Sequence, residues 1–140
     1  MPNAVAFTLI TPRAIVFEGD AELVIAVGTE GEVGILPSHA PFLTALRPGV
    51  LRANVRDDSG IMRIELACGE GFLQALPDKI TILTDAAFAA DEIDIGHSRD
   101  ELAHAHQEQR EAGSDLTAWH RAQSKIDFAA AKLKVVGVGS

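Results

Sequence analysis

The stretch Val50-Leu51-Arg52-Ala53-Asn54-Val55-Arg56, Asp57-Asp58-Ser59-Gly60, Ile61-Met62-Arg63-Ile64-Glu65-Leu66 decides the fold class of this chain. Its two arms alternate apolar and polar residues with the period of a half-buried strand. The four residues between them combine turn-forming side chains with a glycine that accepts positive φ. The reading is an antiparallel hairpin. Outward from it the same rhythm continues. Gly71-Phe72-Leu73-Gln74-Ala75-Leu76 and Lys79-Ile80-Thr81-Ile82-Leu83-Thr84 flank a Pro77-Asp78 turn, and short β-branched runs lie at residues 5–10, 14–17 and 22–27. All six prolines fall between Pro2 and Pro77. Short strands at this spacing, with no helix between them, predict an antiparallel β-sandwich of about ten strands.

Near residue 90 the period changes. Ile95, Ser98, Leu102, Ala105, Gln109 and Ala112 share one helical face, with Asp94 as N-cap and Gly113 as terminator. Ser114 or Asp115 caps a second helix, on which Leu116, Trp119, Ala122, Gln123, Ile126, Ala130 and Leu133 form the expected inner face. Arg121, Lys125, Phe128 and Lys132 form a stripe on the expected outer face. The predicted division is a sandwich over 1–87 and a two-helix antiparallel hairpin over 88–140.

Composition narrows the function classes. Of 140 residues, 47% are apolar and 23% charged, which excludes extended disorder. No apolar run approaches the ~18 residues of a membrane span, and Met1-Pro2-Asn3-Ala4-Val5 has no signal-peptide character. The expectation is an intracellular protein. The formal net charge is −8, and residues 1–92 carry −7 of it. Nucleic acid and anionic membrane are therefore poor partners. The single cysteine, Cys68, reads as a buried structural thiol.

The search for catalytic groups finds little. There is no phosphate-binding G-x-x-x-x-G-K-[ST], no G-x-S-x-G elbow and no H-E-x-x-H. His97, Glu101, His104 and Glu108 share a helix face that could offer metal ligands, but it reads as a solvated surface. A small hydrolase would need a base-activated nucleophile that these residues do not assemble. A free-standing ligand-binding sandwich would explain the strands but not the hairpin. No catalytic residue, metal site or cofactor is expected.

The segment Gly28-Thr29-Glu30-Gly31-Glu32-Val33-Gly34-Ile35-Leu36-Pro37-Ser38-His39-Ala40-Pro41 stands apart. Three glycines at a spacing of three allow tight turns, and two prolines restrict the chain around His39. It reads as a shaped corner of the sandwich, a rigid polar loop suited to binding. Glu30 and Glu32 could pass for a general acid–base pair, but nothing else in the chain supports that role. This segment resembles the ε subunit of F-type ATP synthases, the counterpart of the mitochondrial δ subunit. Phe17-Glu18-Gly19-Asp20, Pro48-Gly49-Val50, Gly71-Phe72 and Glu92-Ile93-Asp94-Ile95 extend the resemblance along nearly the whole chain.

The resemblance implies a sandwich followed by a helical hairpin, in a non-catalytic subunit of the central stalk. Its implied partners are the γ subunit and the c-ring, whose rotation it transmits. Gly31, Glu32 and His39 match the residues that contact the c-ring, with Ser38 in place of the usual glycine. The resemblance implies that the hairpin can extend along γ and restrain ATP hydrolysis, and Arg121, Lys125, Phe128 and Lys132 read either as a solvated outer face or as its contact stripe on the α and β catalytic subunits. Some relatives bind ATP through I/L-D-x-x-R-A. Here Ile93-Asp94-Ile95-Gly96-His97-Ser98 puts His97 where the arginine stands, so ATP binding is expected to be weak or absent. The implied location is the cytoplasmic face of a bacterial inner membrane, reached only through the complex.

Overall fold

A computed structural model of the chain describes residues 3–138. Nine strands come first: β1 (Val5–Ile10), β2 (Ile15–Gly28), β3 (Gly31–Ile35), β4 (Phe42–Leu46), β5 (Gly49–Asp57), β6 (Gly60–Cys68), β7 (Gly71–Leu76), β8 (Lys79–Thr84) and β9 (Ala87–Phe88). A 3-10 turn at Ala90–Glu92 then leads into α1 (Ile95–Glu111) and α2 (Leu116–Val135).

The hairpin at residues 50–66 is β5–β6, in register from Gly49 opposite Cys68 to Asp57 opposite Gly60. Gly60 has φ +124° and a Cβ there would touch nothing, so the position needs glycine's backbone freedom, not its small size. Asp57 closes the turn by accepting from the Ser59 hydroxyl at 2.7 Å and the Ser59 N–H at 2.8 Å. Those bonds hold its carboxyl below the ordinary range.

The runs at residues 14–17 and 22–27 are not two strands: residues 15–17 and 22–27 belong to one, the 14-residue β2. Glu18 and Asp20 alternate outward while Ala21 is fully buried, so the stretch between the two runs is strand with a polar outer face. The first half of β2 pairs with β1, and Asp20–Ile25 pairs with β5 past an irregularity between Ala21 and Leu23. That kink carries β2 from one layer into the other.

β1 runs parallel to β8, whereas the other pairings among the described residues are antiparallel. The hydrogen-bonded path β1-β8-β7-β4-β2 returns to β1 and closes the sandwich, the β4–β2 link being Gly28 opposite Leu46. Between the layers lie Phe7, Leu9, Val24, Ile35, Leu73, Ile80 and Ile82, each at most 1% exposed. This contiguous core draws its buried residues from the strands alone.

The helix caps fall where the sequence places them. Asp94 accepts from the His97 N–H at 2.9 Å, Asp115 accepts from the Ala118 N–H at 3.1 Å, and Gly113 turns the chain between the helices at φ +57°. The faces differ from expectation. α2 lies between α1 on one side and β5 and β6 on the other. It therefore buries Ala122, Ile126, Ala129, Ala131 and Leu133 around more than one face. Leu116 and Trp119, expected on the inner face, are 69% and 37% exposed in the first turn of α2.

Candidate interaction surfaces

The glycine-rich segment is not one loop. Residues 31–35 form β3, which pairs along β2 with Glu32 opposite Val27 and Ile35 opposite Val24. Gly31 has φ +125° just after the Thr29–Glu30 turn. Glu32 and Leu36 are therefore about 14 Å apart along the extended backbone, and His39 belongs to the far end. Glu32 is exposed on the sheet face and is held by an ion pair with Arg52, reaching from β5 across β2. Glu30 is exposed and its side chain makes no hydrogen bond among the described residues, so no acid–base pair is built there.

His39 faces inward. Its Nδ1–H donates to the Leu36 carbonyl at 2.9 Å, and its Nε2 is buried with no hydrogen-bond partner. The ring meets Phe42 edge-on at 5.8 Å. Ser38 takes the left-handed conformation, φ +68°, at the position where glycine was expected, and its N–H donates to the Pro77 carbonyl at 3.3 Å. The imidazole therefore braces the β3–β4 connection, and Gly31 and Glu32 stand apart at the other end of β3.

The stripe on α2 also differs from its reading as a solvated outer face. Arg121 is exposed. Lys125 Nζ lies 2.9 Å from Glu108, and Lys132 Nζ 2.9 Å from Glu101. Both pairs have a spacing of seven residues on each helix, which is the register of an antiparallel pair. Phe128 is half-buried against Phe88 of β9, ring centres 6.0 Å apart. The Phe128–Lys132 end of the stripe points inward because α2 has two neighbours, and hydrophobic periodicity reports one face at a time. Glu101 and Glu108, read as a solvated face of α1, are the partners of those lysines. His97 is 3.7 Å from Glu101, and no group of three or more metal-binding side chains assembles among the described residues.

Sequence reasoning missed Glu70, in the β6–β7 turn, which accepts a hydrogen bond from the Ser124 hydroxyl of α2. Burial, and then the neighbouring charge of Glu70, push the Asp85 carboxyl up from its ordinary range. The Cys68 thiol is pushed up to about 12, first by burial and then by the Asp85 charge, so it is an unreactive core side chain. Thr84, 4% exposed, anchors this corner by donating to the Gly69 carbonyl at 3.0 Å.

A further surface feature is apolar. Phe72 on β7 stands opposite Leu83 on β8, with Ala45 of β4 and Ile10 of β1 on either side in the same row. Phe72 is 56% exposed, Leu83 51% and Leu43, two residues before Ala45 on β4, 69%. No helix among the described residues is long and apolar enough to cross a membrane.

A closed sandwich with an apolar outer row, a polar β2–β3 turn and a docked helical hairpin defines a subunit built to sit against other chains. Residues 4–90 match the family model described as "ATP synthase, Delta/Epsilon chain, beta-sandwich domain". The ATP synthase epsilon chain of Moorella thermoacetica is 37% identical over 131 residues, covering 92% of this chain and 93% of that one. The epsilon chain of Syntrophobacter fumaroxidans is also 37% identical, over 136 residues, covering 96% and 97%. A chain from the Euglena gracilis mitochondrial ATP synthase structure (OSCP/F1/c-ring) superposes with TM-score 0.77 at 19% identity, covering 96% of this chain and 81% of that one. The chain belongs to the ATP synthase delta/epsilon family, and the resemblance read from residues 28–41 is borne out.

Proposed function

We propose that this chain is the non-catalytic ε subunit of the central stalk of an F-type ATP synthase. It links the c-ring to γ, so that proton-driven rotation reaches the catalytic subunits, and its hairpin modestly restrains ATP hydrolysis. The observation that carries the reading is the exposed apolar row of Phe72, Leu83 and Leu43 on a domain whose core is already complete. A surface of that kind marks a face covered by a partner, and we assign it to γ. The sandwich, 1–87, is the docking unit and the hairpin, 88–140, the regulatory one. The chain acts at the cytoplasmic face of a bacterial inner membrane, through the complex and with no cofactor of its own. Co-purification from the assembled enzyme tests this: γ and the c-ring are expected in stoichiometric amounts, and a chain isolated alone would refute the assignment.

Ring contact is assigned to Gly31 and Glu32 directly, with His39 shaping the connection at the far end of β3. The double substitution Glu32→Ala, His39→Ala should weaken attachment to the ring about tenfold, the scale of losing a contact worth ~1.4 kcal/mol. The sandwich should remain folded, because neither side chain is part of its core. Ring binding at wild-type strength in both single variants and the double would remove these residues from the contact.

In the extended hairpin, Arg121, Lys125, Phe128 and Lys132 meet acidic surface on the α and β subunits. Replacing all four by alanine should raise ATPase activity severalfold while leaving the subunit in the complex. An unchanged hydrolysis rate would mean that the stripe serves only the docked state.

A further inference from the structure

Three separate elements meet at one ammonium group. Lys132 Nζ is 2.9 Å from Glu101 of α1, 4.6 Å from the centre of the Phe128 ring on α2 and 5.5 Å from the centre of the Phe88 ring on β9. The two rings are tilted by 34° to each other. Only 12% of the Lys132 side chain is exposed. A cation this far out of water needs replacements for its hydration, and here they are one carboxylate and the faces of two rings.

We propose that this cage is the clamp that keeps α2 docked, and that Phe88, on the last strand, controls whether Lys132 and Phe128 are free to meet a partner. The proposal rests on the reading that the hairpin restrains hydrolysis, and it adds the device that sets how often the hairpin is free to do so. The cage has one wall from each of β9, α1 and α2, so it cannot survive the departure of α2 from the other two. For the same reason, Lys132 and Phe128 cannot touch a catalytic subunit while they are caged. Two other polar contacts of α2 are weaker candidates. Lys125 and Glu108 are about half exposed (53% and 47%), and ion pairs so open to water hold little. Ser124 and Glu70 form a single hydrogen bond at an exposed edge.

Phe88 lies on β9, outside both helices, which allows a test in which the stripe itself is untouched. Phe88→Leu keeps an apolar side chain and removes the ring; Glu101→Gln keeps the shape and removes the charge. In the isolated full-length chain, each should raise hydrogen exchange of the α2 amides about tenfold, the scale of a part-desolvated cation–π contact. Protection in β1–β8 should be unchanged. Exchange within about twofold of wild type in both variants, or an equal rise throughout the strands, would overturn the clamp. In the assembled complex, Phe88→Leu should lower ATP hydrolysis, opposite in sign to the alanine substitutions in the stripe. A rise in α2 exchange with no change in hydrolysis would uphold the clamp and overturn the inhibitory reading.

Discussion

Placing a carboxylate at Phe72 or Leu83 is expected to weaken binding to γ by about a hundredfold or more, because the assembled interface would then enclose an unpaired charge. The two side chains face each other across β7 and β8 and point away from the core, as their buried neighbours Leu73 and Ile82 show. In the isolated chain, Phe72→Glu and Leu83→Glu should therefore be nearly neutral for stability. The same exposure that makes the row available to a partner makes it tolerant while the partner is absent. Ile61 supplies the control. It is 61% exposed at the tip of the β5–β6 hairpin, away from the row, and Ile61→Glu should leave binding intact. Co-purification and a binding titration with γ measure all three. Full-strength binding by both row variants would take the face away from γ and with it the main support for the stalk assignment.

A chain carrying Gly71→Ala is expected to lose about 3 kcal/mol or more of folding stability, at the upper end of overpacking costs. Gly71 opens β7, paired with Leu46 on one side and Thr84 on the other. An added Cβ would stand 1.9 Å from the Leu83 carbonyl oxygen and 2.8 Å from the Thr84 Cα, both main-chain atoms. No rotamer change relieves that clash, so β7 and β8 must separate, and these strands carry Leu73, Ile80 and Ile82 into the core. Gly69 differs instructively. Its Cβ would meet the Asp85 carboxylate, a side chain free to swing away, so Gly69→Ala should cost less. Thermal unfolding followed by circular dichroism checks the pair: Gly71→Ala should fall by about 10 °C. A midpoint within about 2 °C of wild type would show that the strands separate more easily than argued.

Family membership and local structure were legible in the residues themselves. Alternation and Asp57-Asp58-Ser59-Gly60 determined the β5–β6 hairpin, because a turn and its flanking strands are settled by short-range sterics and hydrogen bonds. Asp94, Gly113 and Asp115 marked the helix ends for the same reason: each satisfies main-chain needs within a few residues. The glycine-rich segment identified the family, yet its appearance as a single loop was misleading. β3 forms there by pairing along β2. The choice of neighbours was left to the tertiary structure. The parallel β1–β8 pairing that closes the sandwich joins residues more than seventy positions apart, and no local signal encodes it. The inward turn of Phe128, the carboxylates that hold Lys125 and Lys132, and the burial of His39 Nε2 all follow from surfaces meeting after the elements form. Periodicity reveals that a helix has an apolar face. Only packing decides how many neighbours it has, and α2 has two.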